Sequence, residues 1–469
     1  MIDQNKPLWI QVLSIAAPMI ISMTGFVFLQ FIDALFLSWY SSAAIAAVVP
    51  AGMASWLLIS PFNGTAAYTS TLVAHYTGAG REHRAFSATW HGLYFTVGAS
   101  VVVALLGFIA GPLFTWAGHD PSVRVLEIEY FQIICWGSFV SIASGAISGY
   151  FMGKGNTKVV MLANFSGFAV NTLLDYVFIF GKWGFPEMGM MGAAIATVFA
   201  QFCVVLVLAT FFIQERFEGR SPLKCIEFDR ELLKRLLRFG FPNGLRYGFE
   251  MLAWTVFIFF LGRIGPVEQA ASNIAFRLNG FAFFPIVGLG FAIGILVGQS
   301  QGSKNPQMAA RVTTTGFLLA EIWMIFMAMI FLVFPQQLIG LFEGDTHAVE
   351  FPEVISQGVI ILRFVAVYSL LDACNIIFIS SLQAAGDTRW TLVISVIAHV
   401  VFLGSLTMID YFKPGLWPEW LAATFFVWSI AIVWFLRFRS GVWKNIQVIE
   451  EVWDDEHGKA CCCPSEQSA

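Results

Sequence analysis

The stretch from Ala17 to Tyr40, APMIISMTGFVFLQFIDALFLSWY, is an apolar run long enough to cross a membrane as a helix, opened by Pro18 and carrying one acid, Asp33. A carboxylate in hydrocarbon costs about 2.5–3.5 kcal/mol on insertion scales, so it persists where it faces partners, a cavity or an ion path. The stretch holds no Lys, Arg or His. Whatever compensates Asp33 has to come from elsewhere in the chain.

Composition sets the class. The 469 residues are 58% hydrophobic and 12% charged, with a mean hydropathy of +0.74, whereas a soluble domain is about 25% charged. Such a chain belongs in a lipid bilayer. A net charge of −4 gives no reason to expect a nucleic-acid partner. Seven cysteines (Cys135, Cys203, Cys225, Cys374, Cys461, Cys462 and Cys463) show neither paired extracellular spacing nor a CxxC pair, so neither disulfides nor zinc is indicated. The start, MIDQNKPLW, lacks the basic region and cleavage site of a secretory signal, so the first span is expected to stay in the mature protein.

Twelve apolar segments follow one another, at 9–39, 43–76, 84–113, 124–152, 158–181, 190–214, 232–263, 268–300, 306–335, 354–384, 389–410 and 417–437. The fold class is therefore an all-α membrane protein with twelve transmembrane helices. Residues 1–215 form an N-terminal six-helix lobe, 216–231 a cytoplasmic linker and 232–444 a C-terminal six-helix lobe. The polar remainder, 445–469, reads as a disordered cytoplasmic tail whose Cys461–Cys463 run is most simply functionless. Alternate connections carry the bases: Arg81 and Arg84; Lys154 and Lys158; Arg216, Arg220, Lys224 and Arg230; Lys304 and Arg311; Arg389; and Arg437, Arg439 and Lys444. The other side offers Arg124, Lys182, Arg263 and Lys413. The positive-inside rule then puts both termini in the cytoplasm.

The chain also repeats. At an offset of 224, Pro18 matches Pro242, Ala46-Ala47 match Ala270-Ala271, Pro61 matches Pro285 and Gly64 matches Gly288. Leu72-Val73, Gly78 and Ala85 continue onto Leu296-Val297, Gly302 and Ala309. At an offset of 231, Gly155-Asn156-Thr157-Lys158 meet Gly386-Asp387-Thr388-Arg389. Both copies start on one side, so these are two parallel six-helix repeats, an architecture that places substrate and ion sites between helices near mid-membrane. Pro18 and Pro242, which each remove a helical hydrogen bond, mark hinge points.

Depth, at 1.5 Å per residue, brings polar groups together. Asp33 falls roughly 9 Å below the outer end of its helix, and Asp175 at about the same depth on the fifth span. Asn171, four residues before Asp175, shares its face, and Thr197 on the sixth span lies about 10 Å in. Asp33, Asn171, Asp175 and Thr197 can form one oxygen-rich cation site, suited to Na⁺ by extension of the rules for hard cations, or to a proton shared between two acids. The alternative is that these groups only bond adjacent helices together. The second lobe offers Glu250, Tyr368 and Asp372 for a cation, a proton or a cationic substrate. The competing reading there is internal neutralisation, with Arg246 pairing Glu250 and Arg363 pairing another acid. Glu321 finds no assignable partner, His75 and His91 read as interfacial, and His399 reads as a packed hydrogen bonder. Forty-eight Phe and fifteen Met suit a pliable apolar cavity, though mostly they serve packing and lipid contact.

With PMIISMTGFVFLQFID at 18–33, NTLLDYVFIFG at 171–181, MGMMGAAIAT at 188–197 and LQAAGDTR at 382–389, the chain resembles the multidrug and toxic compound extrusion (MATE) family from about residue 8 to 440. The resemblance implies two bundles splayed in a V around a central cavity. It implies a secondary active antiporter of the plasma membrane, monomeric and without cofactor, that exports organic cations or drugs in exchange for Na⁺ or H⁺. It carries the first ion site onto Asp33, Asn171, Asp175 and Thr197, and the second onto Glu250 and Asp372 with Tyr368 beside them. A flippase for a lipid-linked precursor is the nearest rival, but buried acids outnumber bases. A prenyltransferase-like intramembrane enzyme fits less well: Asn171 and Asp175 give NxxxD, yet position 179 is Ile and no second aspartate-rich helix follows. An HExxH motif is absent too.

Overall fold

The computed structural model describes residues 6–117, 121–216, 221–342, 351–412 and 415–450; the Cys461–Cys463 run lies outside them. The described regular structure is all helical. The first half holds α1 (Leu8–Tyr40), α2 (Ser42–Ala67), α3 (Thr69–Gly78), α4 (Glu82–Leu106), α5 (Ala110–Ala117), α6 (Pro121–Trp136), α7 (Ser138–Lys154), α8 (Thr157–Ile179) and α9 (Gly189–Gln214). The second holds α10 (Arg230–Ile264), α11 (Pro266–Gly302), α12 (Pro306–Val333), α13 (Pro335–Gly340), α14 (Phe351–Ala384), α15 (Thr388–Phe412) and α16 (Leu416–Arg439).

Ten described helical stretches are long and apolar enough to cross a membrane, and the pair α6–α7, bent by 44°, makes an eleventh. The twelfth expected span is α2–α3, split at Tyr68. The bend in the fourth span has a local cause. Gly137 stands at the break, and a Cβ there would drive into the Val198 side chain of α9, so only a bare backbone lets the two spans pass. Large apolar residues such as Leu105, Phe108, Ile322, Val333, Val401 and Met408 lie exposed around the bundle, which suits hydrocarbon and not water.

The two halves are joined by equivalent helices crossing over. α1 packs on α11 and α2 on α10, while the offset of 224 maps α1 onto α10 and α2–α3 onto α11. The contacts come in matched pairs. Gly64 lies against Gly244, and Gly288 against Ile20; residues 64 and 288 are equivalents, as are 20 and 244. At the end of the bundle shared by Leu8 and Arg439, here called the proximal face, a Cβ on Gly78 would collide with the Gln299 carbonyl oxygen. A Cβ on Gly302 would collide in the same way with that of His75. Each half then reaches across with one side chain: His75 Nε2 is 2.8 Å from Ala384 O, and Gln299 Nε2 donates to Gly153 O at 2.9 Å. Residues 75 and 299 are equivalent at one offset, 153 and 384 at the other. The proximal face is therefore closed by one contact used twice.

The two histidines read as interfacial are both buried within the protein at this end of the bundle. His75 is only 2% exposed, wedged between the halves, and His91 is fully buried. The His91 Nδ1 meets Ser87 O at 2.7 Å, and its Nε2 accepts from Asp229 N at 2.8 Å. The linker between halves is anchored there too: Asp229 caps α10 through the Glu231 and Leu232 amides and pairs with Arg84 at 2.9 Å. Burial opposes its charge, but the Arg84 guanidinium and the two amides outweigh that and hold the Asp229 carboxyl below the usual range. Asn445 to Glu450, placed by sequence in a structureless tail, are instead docked on the proximal face.

One buried ion pair holds the α14–α15 turn to the end of α16. Arg437 Nε and a terminal nitrogen bond Asp387 at 2.7 and 3.3 Å, and the guanidinium stacks 4.5 Å from the Trp390 ring centre. Replacing Arg437 with Ala strands a carboxylate that is 6% exposed. A loss of about 3–5 kcal/mol is expected, read as a lowered melting temperature in detergent and largely recovered in Arg437→Ala/Asp387→Asn.

Candidate functional site

α1 and α8 pack side by side in the first half, and this neighbourhood decides where Asp33 points. Its carboxyl meets that of Asp175 directly. Asp175 is 1% exposed, and both its oxygens, with one oxygen of Asp33, are buried without a donor. Two acceptors facing each other bond only if a proton sits between them, and two full charges there need a cation. Asn171, one helical turn before Asp175, is also buried with its amide nitrogen unpartnered. Thr197 stands on α9, which packs against α8, but its hydroxyl donates to Ala193 O at 2.9 Å. It can offer lone pairs only.

Sequence reading missed Tyr130 of α6, which lies close enough to both carboxyls to feel their charge. A tyrosine among Glu127, Glu129 and apolar neighbours carries no signal of depth or facing, so nothing local could have named it. Outside the acid pair, a cleft of about 690 Å³ runs between α1 and α8, with Phe28, Phe36, Phe165, Phe168 and Tyr176 among its walls. Asp33 and Asp175 lie one residue around each helix from the cleft-lining Ile32 and Tyr176, so the cleft borders the acids without containing them.

In the second half Tyr368 and Asp372 are buried and Glu250 is half-buried, and the three are differently paired. Arg246 donates to Glu250 at 2.6 Å, so the internal neutralisation weighed from sequence holds for this acid. Arg363 is exposed and forms no ion pair with a described residue, contrary to the second part of that reading. Tyr368 is 3% exposed and bonds the Asn279 side chain. Asp372 accepts from Asn375 Nδ2 at 3.3 Å, and Asn375 Oδ1 in turn accepts from Trp434 at 3.0 Å. Glu250 lies within electrostatic reach of Asp372. His399 meets Ser395 O at 2.6 Å and packs against Phe426; its other nitrogen is unpartnered and lies near Glu250 and Arg246.

Two further acids were not singled out from sequence. Glu127 and Glu419 are both fully buried, and neither Glu419 oxygen has a partner. Glu419 sits in the first turn of α16, where an acid is ordinarily solvated, so hydropathy gave no warning of its burial. Glu321 keeps one buried oxygen unpartnered. Among the described residues no group of three or more His, Cys, Asp or Glu is arranged to hold a metal ion.

The chain matches the MatE family model over residues 18–177 and 242–404, one block in each half. It is 25% identical over 425 residues to "Probable multidrug resistance protein NorM" of Thermotoga maritima, with 89% of each chain covered. The protein of the same name from Shewanella oneidensis is 25% identical over 443 residues, covering 92% of this chain and 94% of its own. Among solved structures, a multidrug resistance MATE family transporter of the MOP superfamily in an outward-facing conformation superposes with a TM-score of 0.83. The two are 22% identical, over 94% of this chain and 98% of the other. A MOP superfamily transporter from Pyrococcus furiosus, described as having a binding pocket of reverse polarity, gives 0.82 at 23% identity with the same coverage.

Proposed function

The chain belongs to the MatE family of transporters, and from that premise we propose that it is a secondary active multidrug efflux antiporter. It exports organic cations or drugs in exchange for Na⁺ or H⁺ across the plasma membrane. Residues 1–215 and 232–444 are the two moving lobes, joined by 216–231, and the proximal face, with its Arg and Lys, is cytoplasmic. The observation that carries this reading is the Asp33–Asp175 pair: two facing carboxyls, one buried and one half-buried, with three of their oxygens shut away from water and without a donor. Such a pair is costly unless something positive joins it, which is what a coupling-ion site requires.

Na⁺ or H⁺ entering from the distal side binds between Asp33 and Asp175, with Asn171, Thr197 and Tyr130 supplying neutral oxygens. Binding draws α1 onto α8, and because α1 also packs on α11 of the other half, the ion biases how the lobes sit; a ligand shifts an equilibrium by its difference in affinity and no more. Pro18 and Pro242 lie inside α1 and α10, the equivalent helices that cross between the halves, and act as hinges. In the second lobe Glu250 is already neutralised, leaving Asp372 and Tyr368 as a weaker cation or substrate site. The names of the relatives support drugs as the substrate class, and the apolar cleft beside the acids suits flat, greasy cations.

The test is efflux of an organic dye cation, ethidium, from vesicles of purified protein with an imposed Na⁺ or pH gradient. Gradient-dependent, saturable efflux is expected with one of the two ions. Efflux that ignores both gradients overturns the antiport reading.

A further inference from the structure

After α16 the chain turns at Gly441, where φ is +72°, and makes one 3-10 turn over Val442–Asn445. Trp443 anchors this turn. It is 1% exposed, stacks on Phe438 at 4.9 Å and donates to Phe438 O at 2.8 Å. Ile446 leaves the turn in an extended conformation, at φ −81° and ψ 126°, and the chain runs on to Glu450. That carries the chain from the second half across the proximal face to the first.

Its contacts fall on both halves. Ile446 and Val448 press on the Gly386 turn between α14 and α15, where any side chain at Gly386 would overlap Val448. Val448 is 1% exposed and belongs to the same apolar cluster as Tyr68, Leu72 and Tyr76 of the first half. The Glu450 carboxylate then gathers two hydrogen-bond donors and two further cations. Tyr76 donates to it at 2.8 Å and Arg84 Nε at 3.1 Å. Arg81 and Arg235 approach at 3.6 and 3.8 Å, and Arg81 also donates to the Glu450 carbonyl at 3.2 Å. Tyr76, Arg81 and Arg84 belong to the first half; Arg235 is on α10. Burial works against the charge, but the backbone amide, Arg84 and Tyr76 prevail and hold the Glu450 carboxyl below the usual range.

We propose that residues 446–450 are a strap that holds the proximal face shut, with Glu450 as its pin. This rests on the alternating-access reading of the preceding section. Opening the proximal face means parting α3 from α11 and from the end of α14, because Gly78, Gly302 and the His75 and Gln299 bonds all lie there. The strap is attached on both sides of that parting line. It cannot follow either half without breaking the Glu450 contacts or stripping Val448 from its pocket. Each opening must first release it, so the strap sets the fraction of time for which the proximal face is open.

Hydrogen–deuterium exchange of the full-length protein in nanodiscs tests this, comparing wild type, Glu450→Ala and a chain ended after Asn445. In both variants, backbone amides of residues 74–80 and 298–303 are expected to exchange about tenfold faster, since charge-assisted bonds of this kind are worth that much in an opening equilibrium. Amides of 420–434, away from the seam, are expected to keep their wild-type rates. Rates at 74–80 and 298–303 within twofold of wild type in both variants overturn the strap, and so does an equal acceleration everywhere, which means general loosening. Exchange requires no drug or ion gradient, so the strap stands or falls separately from the efflux result.

Discussion

Asp33→Asn is expected to abolish gradient-driven efflux while raising the melting temperature. The two effects come from one cause. In the wild type, two carboxyls face each other in a buried site without a donor between them, so charging both is resisted until a cation arrives. The substituted amide donates to Asp175 and relieves that tension, which stabilises the empty protein. It also removes one of the two charges that hold the ion. Losing one partner of a buried, hydrogen-bonded charge costs about 2–5 kcal/mol, or roughly 30- to several-thousandfold in ion affinity. Vesicle efflux and a thermal melt of the same preparation check both halves. Wild-type coupling in the mutant removes the first-half ion site. A loss of coupling together with a lower melting temperature makes the role of Asp33 structural instead.

Gly302→Ala is expected to open the proximal face. The new methyl group has no place to go, since it falls inside the His75 carbonyl oxygen, and backbone cannot yield as a long side chain does. Overpacking of this kind costs about 1–3 kcal/mol, a shift of roughly 5- to 150-fold in a two-state equilibrium. Exchange at 74–80 and 298–303 reads the shift. Gly404→Ala is the control: a Cβ there meets nothing within 4 Å, so removing a helix-interior glycine costs nothing and gains a few tenths of a kcal/mol or more. If Gly302→Ala and the control exchange alike, the close glycine contact is not what closes this face. The reciprocal change, Gly78→Ala, meets the equivalent obstacle at Gln299.

Much of this was legible in the sequence because membrane helices obey a strong constraint. Each span must be apolar and about 20 residues long, so α8, read as 158–181, is found at Thr157–Ile179, and α9, read as 190–214, at Gly189–Gln214. Asp33 and Asp175 could be brought to one depth by counting rise per residue, and their carboxyls do meet. Rotation around a helix is harder to count than depth. It is rotation that puts Tyr130 beside the acids, turns the Thr197 hydroxyl back on its own helix, and hides His75 between the halves. The repeat was visible as an offset, but an offset says that two segments are alike, not that each packs on the other's partner. The docking of residues 446–450 was missed for a different reason. Polar composition reads as disorder, whereas Val448 and Glu450 find an apolar pocket, two donors and two further cations on surfaces built by distant parts of the chain.

The doubled seam at Gly78 and Gly302 also speaks to ancestry. A contact that joins residue 78 to residue 299, and equally residue 302 to residue 75, is what two copies of a half-length chain would present to each other across a dimer axis. Fusing them into one polypeptide let the copies diverge, and the seam records it: an imidazole now stands where its twin has a carboxamide. A symmetric homodimer cannot tell its subunits apart, but this molecule can. From such small departures from equivalence a fused pair comes to differ in chemistry between its halves, here a bare acid pair on one side and an arginine-paired acid on the other.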